Sequence, residues 1–350
     1  MSKFDVTLQT VKDIRPHSNA DRLELAKIGS SDYQFVVPKG QLHEGQFVIH
    51  FPLDSIMPAE ILDKIGLTGK LSGKDRNIVK TVKLRGEISQ GLIIPMEDLL
   101  PIEWCLDYNP GASYMSTLGV TKYDPPPVII KQGNLVRLPE HNRVYDIENA
   151  ENYPEVVAAL MNKECIVTEK LEGTHFSATL NAEDEFFVCQ RRYAIQVEEG
   201  QSHLWHQMAD KYHLHRSLKE IRQHFSALDT ITIRGELVGP GIQKNIYGLK
   251  EHQVFFFELE VNGSPVGWDN FWEYCWWEEL PVVPVIDEGR ELNVFLRGTT
   301  LVEVSHGPSK LNESVQREGI IIKPVEEMKP MPEVGRVFIK QKDPQYLADF

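Results

Sequence analysis

Short apolar runs separated by turn residues dominate the first third of the chain. Each run is too short for an ordinary helix, and residues that favour turns stand between the runs at 19–21, 38–40 and 44–45. The pattern predicts strands at 4–11, 23–28, 34–37, 46–51, 79–84 and 91–95. Several short strands within about 100 residues are typical of a small antiparallel barrel.

The pattern changes after Asp124, where three successive prolines favour an extended, semi-rigid spacer. Beyond it, helical periods at 153–162 and 202–225 mix with strand-like runs at 165–169, 186–190, 230–236, 254–260, 319–323 and 336–342. Helices and strands around an antiparallel core predict an α+β second domain. The predicted boundaries are 1–122 for the barrel, 123–139 for the linker and 140–350 for the second domain.

Composition narrows the class of protein. The 350 residues suit about two domains. No apolar stretch reaches the ~18 residues of a membrane span, so no membrane partner is expected. Cys105, Cys165, Cys189 and Cys275 stand far apart, which suits a reducing, cytoplasmic compartment. The net charge of −14 weighs against non-specific coating of nucleic acid, so any such contact has to be a local basic groove.

Glu169 and Lys170 stand at the end of the apolar run 165–168, and Glu172 and Gly173 come shortly after. A lysine at a strand end can attack a nucleotide phosphate once its amine has lost its proton. Desolvation or neighbouring cations must therefore lower its pKa from the usual ~10.4. Gly173 lets the backbone turn sharply and approach a ligand closely. The segment predicts a nucleophilic lysine.

Strand alternation places further charged side chains together. Lys340 and Lys342 are expected on one face of their strand, the face that also carries Arg336 and Phe338. Two ammonium groups there suit an α-phosphate and would depress the pKa of a nearby Lys170.

The same alternation puts Glu318 on a face with Ile320, which offers a hard oxygen ligand beside an apolar surface. Phe255 and Phe257 also share a face, so either could stack on a purine. Taken alone, the aromatic run 255–259 is better explained as a core strand, and only its place in the series of segments favours stacking.

The order of these segments resembles the covalent nucleotidyltransferase superfamily, which comprises ATP-dependent DNA ligases, RNA ligases and mRNA capping enzymes. Residues 170–173 resemble its nucleotidyl-lysine motif, and the five motifs that follow resemble 189–192, 233–245, 255–259, 317–323 and 337–342. Few residues follow Lys342 and the barrel lies in front, which is similar to an RNA ligase family with an N-terminal OB domain and a minimal C-terminal catalytic domain.

The barrel region resembles the OB-fold tRNA-binding family, including the related domain of phenylalanyl-tRNA synthetase. The resemblance rests on RPHSNADRLE at 15–24 and KLRGEISQGL at 83–92. The same residues are also explained as barrel-building elements, with a turn at 19–21 and a bulge at Arg85-Gly86. Six basic side chains either steer nucleic acid or form a solvated face: Lys39, Lys70, Lys74, Lys80, Lys83 and Arg85.

Together the resemblances imply an α+β protein, an OB-like β-barrel followed by an ATP-grasp-like, DNA-ligase-type nucleotidyltransferase domain with antiparallel sheets and helices. They imply an ATP-dependent RNA ligase that joins a 5′-phosphate to a 3′-hydroxyl, with Mg²⁺ as metal and Mn²⁺ as its substitute. Lys170 would take AMP from ATP, pass it to the 5′-phosphate, and the 3′-hydroxyl would then displace AMP. A nicked duplex with RNA on the 3′-hydroxyl side is the expected substrate, and a monomer suffices.

The resemblance also implies roles for individual residues. Glu169 is expected at the adenine amino group, and Glu172 and Arg191 at the ribose. Phe257 and Ile321 are expected to sandwich the adenine, with Phe255 and Ile320 as the alternatives. Gly173 is expected in the loop at the nucleotide. Lys340 and Lys342 would hold the α-phosphate, and Glu236 and Glu318 the metal. His175 has no assigned role, because several RNA ligases carry asparagine there.

Two other functions stay open, a GTP-dependent capping-type guanylyltransferase and a catalytically inactive OB-fold protein that binds RNA or tRNA. GTP use without ATP use would favour the first, and RNA binding without a covalent adduct the second. Histidines 203, 206, 213 and 215 match no zinc pattern, and the tryptophans in 268–277 are expected to pack a subdomain.

Overall fold

The computed structural model describes residues 4–29, 31–100, 111–124, 134–198, 200–201, 203–226, 228–332 and 334–349. The chain divides into two compact units, Met1–Val128 together with Asp343–Phe350, and Ile129–Lys342. Most of the predicted linker, residues 125–133, lies outside the described residues, so the predicted boundaries stay a prediction. None of the described helices has the length and apolar character needed to cross a membrane.

The first unit is mainly β-structure. Its elements are β1 Thr7–Pro16, β2 Leu23–Ile28, β3 Phe35–Pro38, β4 Phe47–Phe51, β5 Ser55–Ile56, α1 Ala59–Lys64, β6 Thr81–Leu84, β7 Glu87–Gln90, β8 Leu92–Pro95, α2 Met96–Leu99, β9 Thr121–Lys122 and the C-terminal helix Pro344–Asp349. The main sheet has the order β3-β2-β1-β4-β8, and β5 pairs with β9 and β6 with β7.

The long strand β1 curves the sheet because it pairs with two partners. Residues 7–10 pair with β4 and residues 11–16 with β2, both antiparallel, and the register shifts between Val11 and Asp13. An irregularity of this kind bends a strand and increases its twist. The result is a nearly closed antiparallel barrel of OB type around a core that includes Leu8, Ile49 and Phe51. The predicted fold of this unit is confirmed.

The two sequence blocks at 15–24 and 83–92 meet in the barrel. Arg85 and Gly86 form the two-residue loop between β6 and β7, with φ values of 53° and 98°. Positive φ at both positions is what a type I′ hairpin requires, so the predicted bulge is a hairpin turn. Asn19 Nδ2 donates to the Arg85 carbonyl at 3.3 Å, and the His17 ring bonds the Leu84 carbonyl at 3.0 Å. The first block therefore caps the hairpin of the second.

The second unit contains two antiparallel sheets and their helices. Its elements are β10 Asn134–Val136, α3 Pro154–Leu160, β11 Glu164–Glu169, β12 Thr174–Leu180, β13 Phe186–Cys189, β14 Ala194–Gln196, α4 Leu204–Lys211, α5 Leu214–Arg222, β15 Ile231–Val238, β16 Gln253–Val261, β17 Ser264–Pro265, α6 Trp268–Trp277, β18 Val285–Glu291, α7 Leu292–Leu296, α8 Leu301–Ser305, β19 Gly319–Pro324 and β20 Ile339–Lys342. The sheets have the orders β10-β14-β13-β12-β15-β16-β17 and β18-β11-β19-β20.

Each sheet of the second unit packs on its own helices. The seven-stranded sheet shares a core with α4, α5 and α6, which includes Trp205, Leu218 and Phe256. The four-stranded sheet shares another with α3, α7 and α8, which includes Leu160 and Val167. The α+β class predicted for this unit is confirmed.

The helical stretch 202–225, for which the sequence allows one or two helices, forms two. They are separate because His213 between them adopts a φ of 50°, which a right-handed helix cannot contain. Strand β12 was not expected, since polar Ser177 and Thr179 interrupt its apolar pattern. Both are buried, and Asn142 Nδ2 donates to their hydroxyls at 3.2 and 2.9 Å, which compensates their burial.

His50 on β4 makes the stability of the barrel depend on pH. Burial lowers its pKa from 6.5 to about 4, so the folded barrel binds this proton less readily than the unfolded chain does. The stabilisation is present above pH 6.5 and is lost as the pH falls towards 4, by about 2 kcal/mol near pH 5. Urea unfolding of the full chain should show a flatter acid limb for His50→Leu. His43→Gln, an exposed position of the same barrel, is the matched control, and an equal flattening there would contradict the assignment.

Candidate active site

Lys170 lies where β11 leaves the four-stranded sheet. Its backbone N–H donates to the Gly319 carbonyl at 2.9 Å, which holds it beside the first residue of β19. Its Nζ is 2.6 Å from Oε2 of Glu318, and the Nζ of Lys342 is 3.2 Å from Oε1 of the same carboxylate. One buried carboxylate therefore joins two of the lysines that the sequence singled out.

The third lysine, Lys340, lies within electrostatic range of the other two. Burial, followed by repulsion from Lys170 and Lys342, lowers the pKa of Lys340 to about 8. Burial alone would raise the pKa of Glu318, but Lys170 and Lys342 lower it below its ordinary value. Three ammonium groups and one carboxylate are thus brought together from the ends of three neighbouring strands.

The structure corrects two predictions about shared faces. Arg336 does not join Lys340 and Lys342 on a strand face, because β20 begins only at Ile339 and buried Glu258 binds the guanidinium at 2.5 Å. Glu318 does not share the environment of Ile320 either. Glu318 precedes the strand and contacts lysines, whereas Ile320 is fully buried in the core under β19.

Glu236 approaches this cluster from the other sheet. It lies on β15 opposite His175 of β12. Burial raises the pKa of Glu236 to about 8, and interactions with Lys170 and with Glu318 act on it in opposite directions. A half-buried carboxyl with this tendency gains most from a nearby cation.

Glu236 and Glu318 are the residues that the sequence predicted as metal ligands. Within the described ranges, no group of three or more His, Cys, Asp or Glu side chains is arranged to enclose a metal ion. Mg²⁺ commonly takes one or two protein carboxylates and completes its shell with water and phosphate oxygens. Two carboxylates beside three lysine ammonium groups fit such an ion.

Two more carboxylates flank Lys170 in the chain. Glu169 Oε2 accepts from the backbone N–H of Lys310 at 2.7 Å, and burial raises the pKa of Glu169. Glu172 Oε1 accepts from the N–H of Lys244 at 3.2 Å. Among the described residues, Oε1 of Glu169 and Oε2 of Glu172 are buried without a hydrogen-bond partner. Each is an acceptor that a bound ligand could satisfy.

Aromatic rings line the neighbouring space. The Phe257 ring lies 5.1 Å from Tyr145 and 6.2 Å from His175, measured between ring centroids, and Tyr145 stacks on His175 at 5.8 Å. Burial lowers the pKa of His175 to about 3, so its ring is neutral at physiological pH. Arg191 is tied to the same segment, since its Nε donates to the Tyr145 carbonyl at 3.1 Å and it pairs with Asp146 at 2.8 Å.

The four residues predicted as possible adenine contacts differ in burial. Phe255 is buried in a cluster with Leu171 and Tyr247, and Ile320 is buried in the core under β19. Ile321 and Phe257 are only half-buried. The half-buried pair is therefore the one that keeps surface available for a ligand.

Glu258, Lys323 and Tyr145 form a buried network to which the sequence assigned no role. Glu258 Oε2 accepts from Lys323 at 3.0 Å and from Tyr145 at 3.5 Å, in addition to its pair with Arg336. Lys323 also donates to the Phe257 carbonyl at 3.0 Å, and its ammonium lies 5.2 Å from the centre of the Phe257 ring. The only hint of this network in the sequence was Glu258, an acidic residue within the aromatic run 255–259.

Replacing Gly173 with alanine should destabilise the protein. The new Cβ would meet the Leu237 carbonyl at 2.5 Å and side-chain carbons of Glu236 and Val238 at 2.8 Å, so β12 and β15 would have to separate. Overpacking of this kind costs about 1–3 kcal/mol in unfolding free energy, which urea denaturation measures. Gly29→Ala is the control, since its Cβ would meet nothing closer than 3.9 Å. Equal losses in both variants would contradict the steric explanation.

Removing the Glu258 charge should lower the free energy of unfolding more than Gly173→Ala does. Glu258→Gln leaves Lys323 and Arg336 near a neutral group inside the protein, and breaking a buried pair in this way costs about 3–5 kcal/mol. Glu327→Gln removes the more exposed carboxylate that Arg336 also binds and should cost below about 1 kcal/mol. Chemical denaturation of both variants compares them directly, and similar losses would show that burial of Glu258 is not the deciding factor.

Comparison with solved structures shows the same fold in a known enzyme. A lysine-to-methionine variant of Naegleria gruberi RNA ligase with AMP and Mn is 22% identical, aligns over 99% of both chains and has a TM-score of 0.76. A lysine-to-alanine variant with ATP and Mn has the same identity and TM-score over 99% of this chain and 98% of the other. The enzyme with PPi, also 22% identical, aligns over 100% and 99% with a TM-score of 0.75. At this identity the likeness establishes the fold alone.

Family models give a more direct result. A model described as an OB-fold domain matches residues 5–96, and the model described as RNA ligase matches residues 163–342, just over half of the chain. No curated protein matches the sequence significantly. The second match includes Lys170, Glu236, Glu318, Lys340 and Lys342, and it shows that the chain belongs to the RNA ligase family.

Proposed function

We propose that this RNA ligase uses ATP and seals a 5′-phosphate to a 3′-hydroxyl through a covalent Lys170–AMP intermediate. The observation that carries the proposal is the convergence of Lys170, Lys340 and Lys342 around Glu318. An amine at a strand end, surrounded by other ammonium groups, suits attack on a triphosphate whose negative charge those groups balance. The Naegleria enzyme with the same fold has been solved with ATP, AMP and Mn, which supports this choice of nucleotide.

The base and ribose fit the pocket beside Lys170. The half-buried Phe257 and Ile321 offer two apolar surfaces for adenine, and the unpartnered Oε1 of Glu169 offers an acceptor for the exocyclic amine. Glu172 has a free oxygen of the same kind, and with Arg191 it is assigned to the ribose. Gly173 keeps this loop packed closely against β15.

Glu236 and Glu318 would hold a magnesium ion, with manganese as substitute. A bound divalent cation supplies charge neutralisation for the phosphate oxygens and orients the leaving pyrophosphate. Binding of the ion would also compete with the ammonium groups of Lys170 and Lys342 for the Glu318 carboxylate.

The chemistry then divides into three balanced steps. The deprotonated Lys170 amine forms a bond to the α-phosphorus of ATP and releases one proton as the bond to pyrophosphate breaks. A 5′-phosphate oxygen attacks the phosphorus of this phosphoramidate, and the lysine leaves and regains a proton. The 3′-hydroxyl finally attacks the activated 5′-phosphate, loses its proton and releases AMP. Lys340 and Lys342 would balance the α-phosphate charge in the first two steps.

The nucleic acid would be a nicked duplex with RNA on the 3′-hydroxyl side, docked with help from the OB barrel. The barrel carries the exposed basic residues that such contact needs, including Lys39, Lys83 and Arg85.

Labelling with α-labelled ATP or GTP and a divalent metal tests the covalent step. Wild type should form a labelled band from ATP on a denaturing gel, and Lys170→Ala should lose it entirely, because the Lys170 amine is the group that carries AMP. Lys163→Ala, an exposed lysine on the same unit, is the matched control and should label normally. Synthetic nicks with RNA or DNA at the 3′-hydroxyl end then test the strand preference.

Three other results of the labelling experiment would point to a different function or a different nucleophile. Label from GTP alone would indicate a capping-type guanylyltransferase. Absence of label with either nucleotide, from folded and dephosphorylated protein that still binds RNA, would leave RNA binding as the function. Retained label in Lys170→Ala would reject Lys170 as the nucleophile.

A further inference from the structure

Helix α6 carries tryptophans on its solvent side. Trp268, Phe271 and Cys275 face the core, as the helical period requires. The opposite side would ordinarily be polar, yet Trp272, Trp276 and Trp277 are 45%, 66% and 50% exposed. Grouped exposed aromatic residues mark surfaces that bind something. The sequence-based expectation that this segment only packs a subdomain explains its inner face and not its outer one.

A groove opens along the end of this helix, and its residues define what we call the α6 groove. It has a volume of about 530 Å³, within the usual ~300–1,000 Å³ of ligand pockets. Its lining residues come from α5, from the turn after it and from α6: Glu220, Ile221, Gln223, His224, Tyr274, Trp277 and Glu278.

Three aromatic rings form one wall of the α6 groove. The His224 ring lies 5.5 Å from Tyr274 and 5.8 Å from Trp277, and the last two lie 6.1 Å apart at a steep angle of 74°. Rings set at different angles around a common space present both faces and edges to a ligand. The faces of tyrosine and tryptophan carry partial negative charge and attract cations.

Carboxylates also line the α6 groove, since Glu220 and Glu278 both border it. Burial raises the pKa of Glu278, and Glu220 acts in the same direction while Ser217 and Arg216 act against it. Arg216 pairs with Glu220 at 3.3 Å but is itself largely exposed. Exposed Glu273 and Glu279 extend the acidic surface around the groove. This charge pattern repels a phosphate backbone and favours a cationic ligand.

We propose that the α6 groove binds the arginine or lysine side chains of a cationic peptide segment in a partner protein. The guanidinium or ammonium group would lie against Trp277 and Tyr274 and pair with Glu278 and Glu220, where it would compete with the exposed Arg216 for the second carboxylate. Arginine suits the site better than lysine, because its planar group stacks on rings and pairs with a carboxylate at two points. The proposal does not depend on the ligase mechanism, since none of the groove residues belongs to the Lys170 site.

Fluorescence anisotropy with a labelled hexa-arginine peptide tests the site on the full chain at physiological salt. Trp277→Ala and Glu278→Gln should each weaken binding by about fivefold or more, the scale expected for loss of a cation–π or paired contact. Trp272→Ala and Glu273→Gln remove the same chemical groups from the same helix outside the groove and should change binding by less than about twofold. A hexalysine peptide should bind more weakly than hexa-arginine.

Several outcomes would overturn the proposal. Equal weakening in all four variants would mean diffuse attraction to an acidic protein. Tighter binding of a single-stranded RNA hexamer that is lost in Trp277→Ala would identify a base-stacking surface instead. Concentration-dependent self-association lost in the same variant would assign the groove to a second copy of this chain. Thermal unfolding of each variant checks its fold, and Glu278→Gln keeps the test decisive if Trp277→Ala proves unstable.

Discussion

The carboxylate of Glu318, held between the ammonium groups of Lys170 and Lys342, is the contact around which the catalytic unit is organised. A buried charge costs several kcal/mol unless it is paired with good geometry. Its two cations come from the end of β11 and the end of β20, while Glu318 itself stands just before β19. The strands must therefore meet in one register, with Glu169 opposite Ile320 and Gly319 opposite Lys342.

A second buried network of paired charges lies at the aromatic side of the candidate site. Glu258 of β16 binds Lys323 of β19 and Arg336 of the segment before β20. It joins the seven-stranded sheet to the four-stranded sheet, and the rings of Phe257 and Tyr145 pack against the ammonium group of Lys323. Both networks set positively charged groups against a carboxylate, so the position of the candidate site and the union of the two sheets depend on the same kind of interaction.

The surface of α6 differs from both networks. There the acids Glu220 and Glu278 lie beside exposed rings, and Arg216, which pairs with Glu220, is itself largely exposed. The buried networks hold their charges in fixed pairs. A surface whose acids pair with exposed side chains can exchange such a partner for a cation that arrives from outside.

The sequence by itself determined the barrel, the α+β second unit and the shared face of Lys340 and Lys342. Those features rest on local pattern, because strand alternation and turn residues follow one another along the chain. The grouping of Lys170 with Glu318 and the two lysines was expected only from the resemblance of the ordered motifs to the nucleotidyltransferase superfamily. The sequence did not predict β12, because its polar Ser177 and Thr179 interrupt the apolar pattern. Both are buried all the same, since Asn142, a partner 35 or more residues away in the chain, donates hydrogen bonds to them.

Only the tertiary structure decided which face each side chain uses and what it meets there. Arg336 was expected beside the lysines and instead pairs with Glu258, 78 residues earlier in the chain. Ile320 and Phe255 turned inward while Ile321 and Phe257 kept free surface. Such choices depend on the balance between burial and pairing across two sheets, and that balance exists only once distant strands have come together.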